Sequence, residues 1–477
     1  MSQDAAEKVS ADFNRREFLK GASLGSLMLA MGGIPLQAED AAKASPEQTH
    51  YSTNSPPVAC AVIGCGVWGR EIIQTLALLP GGPNPDGSKT PAPPNAPVVA
   101  ICDTVKRAIN RAKEFAPKAE VYDDYHKLLE QKNVEAVIVA TPTHLHREIV
   151  EAALKAGKHV YCEVPTAHTV EDARAIALAA KAAVKVNFQT GLQMRADPTK
   201  HYVQKFIRSG AVGKVVLARA QHHKKESWRQ TGATPELDKA ANWRLDKAIS
   251  TGLVGEVGAQ QFDLMNWFLN ELPIAATGFG GILNWNDGRD VADTIQSVLQ
   301  FPSKANFVYD ATLCNSCDGE YGMIYGINAA ILMRQTKEGE RKSWLFQESD
   351  SPLLGWEVMA KKEKIGEESG ISLAADASKS VKAANEAPES PYALSSLHYA
   401  LKAFIENSHF TATKVAAYIE NFGEDGLGEN IASQAKFRQF PAAGYKEGYE
   451  ATVTVIKVNE AVVQGRKIEL PKELFEI

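Results

Sequence analysis

An apolar strand running into three glycines spaced Gly-x-Gly-x-x-Gly, a strand-helix alternation behind it, and further apolar or alternating runs downstream predict an α/β protein. The first of its two domains is a Rossmann-type dinucleotide-binding unit, and the second is an α+β unit built on one sheet. With 477 residues, 44% of them hydrophobic, the chain is long enough to bury two cores.

The elements follow in order. Residues 58–69 read VACAVIGCGVWG, a buried-type strand followed by Gly64, Gly66 and Gly69. The first glycine permits the tight turn, the second lets the backbone approach a pyrophosphate, and the third allows close helix-strand packing. Val67 and Trp68 open the helix that continues through 71–79, and its N-terminus offers free N–H groups and partial positive charge to phosphates. The second strand, 97–102, ends in Asp103, placed to accept hydrogen bonds from the adenosine ribose hydroxyls. That carboxylate favours NAD, while Arg107 leaves NADP open because it can reach a 2'-phosphate. Asp103 also suits the N-cap of a helix over 105–115, and the two roles coexist. Gly69 and Asp103 are further apart than the usual spacing because 80–97, PGGPNPDGSKTPAPPNAP, reads as a loop insertion.

A third buried-type strand, 134–140, ends in Thr141-Pro142-Thr143-His144-Leu145-His146. A helix over 147–156, a strand over 159–162 and the tripeptide Glu163-Val164-Pro165 come next. The order of glycine fingerprint, acidic strand end, Thr-Pro-x-x-x-His, Gly-Lys-His-Val and Glu-x-Pro resembles the glucose-fructose oxidoreductase, inositol dehydrogenase and rhizopine-catabolism family, Gfo/Idh/MocA. The resemblance is strongest over 58–165. It implies a Rossmann domain over 58–185 and an α+β substrate and oligomerisation domain over 186–477, with an open, mostly antiparallel sheet whose face covers the nicotinamide. It also implies a homo-oligomer and an NAD site formed by Gly64, Gly66, Val67, Trp68, Gly69, Asp103, Thr141, Pro142, His144, His146 and Glu163.

Beyond the first domain, helices are expected over 170–183 and 199–209, and strands over 184–189, 214–221, 294–301 and 306–313. Residues 361–391 are polar and read as a surface excursion, and helices over 394–406 and 449–463 close the fold. At the other end, Asn14-Arg15-Arg16-Glu17-Phe18-Leu19-Lys20 and the mildly apolar run to Leu36 resemble a twin-arginine export signal with a small-residue cleavage site at Leu36-Gln37-Ala38. Residues 1–38 are therefore expected to be a signal peptide and 39–57 a linker, which places the mature protein in the periplasm. The apolar run is too short and glycine-rich for a good membrane span, so no membrane partner is expected for the mature form. A net charge of −5 without a sustained basic run speaks against nucleic acid. Cys60, Cys65, Cys102 and Cys162 lie in or beside strands as small hydrophobes, and Cys314 and Cys317 form a lone Cys-x-x-Cys, either a strained disulfide or two unrelated thiols. No second ligand pair accompanies them, so no metal site is expected.

Chemistry is where the chain departs from its apparent relatives. Oxidising a secondary alcohol needs a group that takes the hydroxyl proton as hydride leaves for the nicotinamide. Many members have lysine in Glu-Lys-Pro; this chain has Val164. The family pattern Asp-x-Gly-x-His corresponds to Glu256-Val257-Gly258-Ala259-Gln260, which keeps a carboxylate and loses the imidazole. Candidate catalytic groups are Glu256 and, from the cluster 222–225, His223 and Lys224. A sugar or polyol substrate is expected near Gln260, Asp263, Arg195 and Trp243, with Trp228, Arg229, Asn242 and Arg244 close by. Three functions fit: an NAD(P)-dependent oxidoreductase acting on a secondary hydroxyl of a sugar, polyol or derivative; a redox-neutral NAD-dependent glycosidase of the same superfamily; and a non-catalytic cofactor- or sugar-binding protein.

Overall fold

The computed structural model describes residues 56–79, 95–335, 341–352, 362–373, 394–424, 426–427 and 440–477. The expected signal segment, nearly all of the linker and most of the 80–97 insertion lie outside the described residues.

Two sheets organise the chain. β1 (Cys60–Ile63), α1 (Val67–Ala77), β2 (Val98–Cys102), α2 (Lys106–Ala112), β3 (Glu120–Tyr122) and α3 (Tyr125–Leu129) build the first half of one sheet. β4 (Ala136–Val139), α4 (His146–Lys155), β5 (His159–Cys162), α5 (Val170–Ala182) and β6 (Phe188–Thr190) build the second half. All six strands are parallel in the order β3-β2-β1-β4-β5-β6. The order reverses between β1 and β4, so a crevice opens beyond their carboxyl ends, where such sheets bind dinucleotides. β1 and β4 are buried throughout, which explains their unbroken apolar sequences. The first domain extends past the expected boundary at 185, because β6 is its edge strand; it starts later than expected, at Phe188, after a turn in which the Asn187 N–H donates to His159 Nδ1 (2.9 Å).

The second sheet starts after α6 (Pro198–Arg208) with β7 (Val215–His223). α7 (Pro235–Ala241), α8 (Gly252–Glu256) and α9 (Ala259–Leu269) intervene before β8 (Ala275–Gly281), β9 (Thr294–Gln300), β10 (Asn306–Thr312), β11 (Glu320–Gly326), β12 (Ala329–Gln335) and β13 (Arg341–Gln347). β14 (Lys362–Ile365) and β15 (Glu368–Ser372) form a hairpin at one edge, where a surface excursion was expected, and residues 374–391 lie outside the described residues. With β16 (Ile468–Glu469) at the other edge, ten strands run in the order β14-β15-β13-β12-β11-β7-β10-β9-β8-β16. β7 and β10 are parallel and the remaining neighbours antiparallel.

Period-two alternation divides the sheet into two faces. Ala218, Ala220, Phe307, Tyr309 and Ala311 are buried toward the helices, where Phe262 of α9 stacks 5.3 Å from Phe307 and 4.9 Å from Tyr309. Residues of the other parity, such as Asp310, occupy the opposite face. α10 (Ser396–Phe422), expected to stop at 406, continues to Phe422. Its Leu397, Leu401, Phe404 and Ile405 share one core with Ile72, Ile73 and Leu76 of α1, so a helix from the end of the chain completes the first domain. α11 (Tyr445–Gln464) packs against α5, α9, β6 and β8 and joins the two sheets.

Candidate active site

The three fingerprint glycines are not equivalent. Gly64 has φ +97°, and a methyl there would stand 2.5 Å from Ala140 O. A methyl on Gly69 would collide with Gly64 O, so both positions are closed to side chains by the protein's own packing. Gly66 has an ordinary φ of −62°, and a methyl there would meet nothing within 4 Å. Its lack of a side chain serves no internal contact and leaves an open approach to the backbone. The first turn of α1 carries no acidic residue, and Val67 (73% exposed) and Trp68 (38%) point outward around the free N–H groups. Asp103 closes the crevice from β2: Oδ2 accepts from Cys65 N–H and Oδ1 from Val105 N–H, each at 2.7 Å. Each carboxylate oxygen keeps a lone pair for a ribose hydroxyl. An open backbone approach, an unopposed helix N-terminus and an oriented carboxylate fit an NAD molecule.

A second cluster lies at the ends of β4, β5 and β6. His146 is buried with Nε2 2.9 Å from Thr141 O and Nδ1 3.1 Å from Pro165 O. Burial pulls its ring down to about 4 against the pull of those carbonyls, so the neutral ring donates to one of them and is an interior residue, not an exposed cofactor contact. Glu163, 9% exposed, ends β5 beneath Gly191, where a methyl would come within 2.5 Å of Glu163 Oε2. From the other side Gln260 Nε2 donates to Gly191 O (2.7 Å). Gly191 is thus flanked by a carboxyl from the first domain and a carboxamide from α9. Glu163 Oε1 and Gln260 Oε1 are both buried without hydrogen-bond partners, as are Thr141 Oγ1, His144 Nδ1 and His168 Nδ1 elsewhere in the described residues. Orphaned polar atoms are costly unless a ligand or water satisfies them, so the two oxygens of the residues that meet at Gly191 make this a candidate place for a polar ligand.

One wall of this site is locked. Glu256 at the end of α8 accepts from Thr251 Oγ1 (2.8 Å) through Oε1 and from Arg244 Nε (3.3 Å) through Oε2. Its side chain is 3% exposed and both oxygens are engaged, so the residue expected as a catalytic carboxylate is an anchor in this structure. Arg244 lies 4.6 Å from the Trp243 ring centroid, and Trp243 lies 6.1 Å from the His144 ring. Trp243, expected to face substrate, is buried beneath that guanidinium.

Three other expectations are corrected. Asp263 is buried and spans Arg195 with contacts of 2.8, 2.8 and 3.1 Å, so both residues are occupied with each other and neither is free for substrate. Arg195 also lines a cavity of about 650 Å³ with Asn266, Trp267 and Glu450, but neither Glu163 nor Gln260 borders it. His223 binds Asp310 (2.5 Å) on the face of the sheet opposite α9, and Lys224 is exposed and paired with Glu226 (2.7 Å). The histidine on the helical face is His222, whose Nδ1 lies 3.6 Å from Glu320 Oε2 and whose Nε2 is buried and unpartnered. Alternation from Ala218 and Ala220 identifies it; residue type alone does not. Cys314 and Cys317 are free thiols.

Comparison with known proteins agrees with this architecture. Residues 58–191 match the family model described as the oxidoreductase family, NAD-binding Rossmann fold, and residues 201–332 match the GFO/IDH/MocA C-terminal domain. Inositol 2-dehydrogenase of Salmonella typhimurium is 31% identical over 213 residues, 44% of this chain and 54% of that protein, so the chain spans about half the length of such curated relatives. Myo-inositol 2-dehydrogenase of Thermotoga maritima is 27% identical over 58% of this chain and 84% of its own length. Among solved structures, levoglucosan dehydrogenase with NADH and levoglucosan superposes with a TM-score of 0.61 at 18% identity, covering 87% of this chain and all of that one, a likeness of fold. The first domain is a NAD-binding Rossmann domain. Two models of one family match successive domains and together cover more than half of the sequence, and the glycine crevice and open sheet lie where they require: the chain belongs to the Gfo/Idh/MocA oxidoreductase family.

Proposed function

We propose that this protein is an NAD-dependent oxidoreductase acting on a secondary hydroxyl of a sugar, polyol or sugar derivative. The observation that carries the proposal is the pair of unpartnered buried oxygens on Glu163 and Gln260, two residues that meet at Gly191 just after the ends of β5 and β6. A polyhydroxylated substrate satisfies many donors and acceptors at once, and leaving them unpaired would disfavour analogues lacking those hydroxyls. The relatives named inositol 2-dehydrogenase and levoglucosan dehydrogenase support this substrate class. NAD, when bound, supplies the hydride acceptor. Gly66 and the first turn of α1 would hold its pyrophosphate and Asp103 its adenosine ribose. Thr141, His144 and Gln260 would orient the substrate hydroxyls, and the Glu256–Arg244 pair would hold the wall rigid. We further propose export by the twin-arginine route to the periplasm and a homo-oligomeric state.

A redox-neutral glycosidase is the second reading, favoured by Val164 and Gln260, which leave the usual amine and imidazole positions without proton-handling groups. Purified mature protein is incubated with NAD or NADP and a panel containing myo-inositol, levoglucosan, free aldoses and aryl glycosides. NADH absorbance and released aglycone are followed together. NADH formation without aglycone release supports the oxidoreductase. Aglycone release without net NADH supports the glycosidase, and silence in both signals supports a binding protein.

A further inference from the structure

We infer that Glu163 is the catalytic residue that accepts the substrate's hydroxyl proton, replacing the amine that Val164 does not provide; this rests on the oxidoreductase assignment. Three observations carry it. Glu163 Oε1 is buried and has no hydrogen-bond partner, although the carboxyl packs directly against Gly191. Gln260 is fixed to the same glycine by its bond to Gly191 O and carries an unpartnered Oε1 of its own. The other acids considered are committed: Glu256 to Thr251 and Arg244, and Asp263 to Arg195.

The environment suits a base. Burial pushes the Glu163 carboxyl up to about 7, with hydrogen bonding from Trp68 and the Val164 backbone pulling the other way. A base with that affinity is deprotonated for a useful fraction of the time near neutrality and binds a proton firmly once it has one. Tyr161 and Cys162, its neighbours on β5, are held protonated by burial, and Gln260 on α9 and Trp68 on α1 carry no charge. The step balances: the hydroxyl proton passes to the Glu163 carboxylate, the carbinol C–H electron pair leaves with its hydrogen as hydride for the nicotinamide, and a ketone forms. The carboxyl then returns its proton to water.

The test uses full-length mature protein, wild type and Glu163→Gln, with Glu163→Asp as the conservative variant. In the cofactor-free protein, tryptophan fluorescence is titrated from pH 5 to 9, with Trp68→Phe identifying the reporter. A transition near pH 7 is expected in wild type and not in Glu163→Gln. With NAD and the polyol panel, Glu163→Gln should lower kcat by about 100-fold or more and abolish the acidic limb of the pH profile. Glu163→Asp should keep that limb, and the NAD Kd should move by less than about threefold, well short of the factor expected for a lost charged contact. Unchanged kcat in Glu163→Gln, or loss of the limb in His144→Gln instead, overturns the inference. Wild-type protein that binds NAD yet reduces none of it across the panel overturns the oxidoreductase assignment, and this inference with it.

Discussion

Replacing Gly66 and Gly69 separately by alanine should split binding from folding. At Gly69 the added methyl runs into the Gly64 carbonyl, an atom of a turn at φ +97° that itself has no room for a side chain. Overpacking of that kind costs about 1–3 kcal/mol. At about 2–4 °C per kcal/mol, this predicts a melting temperature lower by roughly 2–12 °C. At Gly66 the methyl enters open space, so the fold loses only the few tenths to 1 kcal/mol by which glycine outranks alanine as an N-cap. A dinucleotide loses far more, because its pyrophosphate must occupy that space to reach the α1 N–H groups. Losing one or two charge-assisted hydrogen bonds of about 1.5–3 kcal/mol each weakens NAD by roughly 10-fold to 20,000-fold. Differential scanning fluorimetry and calorimetric titration with NAD separate the two effects. Gly66→Ala that binds NAD like wild type, or that melts as low as Gly69→Ala, would refute the division of labour drawn from the crevice.

Other expectations follow from the same contacts. Because burial raises the Glu163 carboxyl to about 7 from an unfolded value of 4.5, the native state binds the extra proton, and its stability contribution is complete below 4.5 and lost as pH rises through 7. Glu163→Gln should therefore match wild type in urea unfolding at pH 4.5 and exceed it by up to about 3 kcal/mol at pH 8; comparing the pair cancels the opposite trend from His146 and His159. Glu256→Ala should cost about 1–3 kcal/mol of stability by stripping Thr251 and Arg244 of their partner, whereas His223→Ala, on the far face of the sheet, should leave kcat within about twofold. A kcat collapse in His223→Ala at unchanged stability would show the faces misassigned. Changing Arg15 and Arg16 together to lysine should retain the precursor in the cytoplasm, as read by cell fractionation.

What could be read from the sequence was what is local in it. The 58–69 fingerprint, the acidic end of β2 and the buried parallel strands declare themselves through spacing and period over a dozen residues. The open sheet was inferred from family likeness, and its edge hairpin at 362–373 was hidden by polar composition. Site assignment failed wherever it depended on a facing partner. His222 and His223 are equivalent as residue types, and the one-residue difference that sends them to opposite faces comes from the register of β7 against β10 and β11. Glu256 and Asp263 read as reactive carboxylates until Thr251, Arg244 and Arg195 are seen to occupy them. The pairing of Glu163 with Gln260 across Gly191 joins three elements distant in the chain, and no periodicity announces it.

The placement of α10 has a consequence for biosynthesis. As the chain emerges from the ribosome, β1 to β6 appear first and supply part of the core around Ile72, Ile73 and Leu76, but the share from Leu397 to Ile405 is missing until the tail has been made. Some two hundred residues separate β6 from its missing cover. A fragment ending after β6 is therefore expected to expose the part of this core that α10 covers and to aggregate more readily than the whole chain.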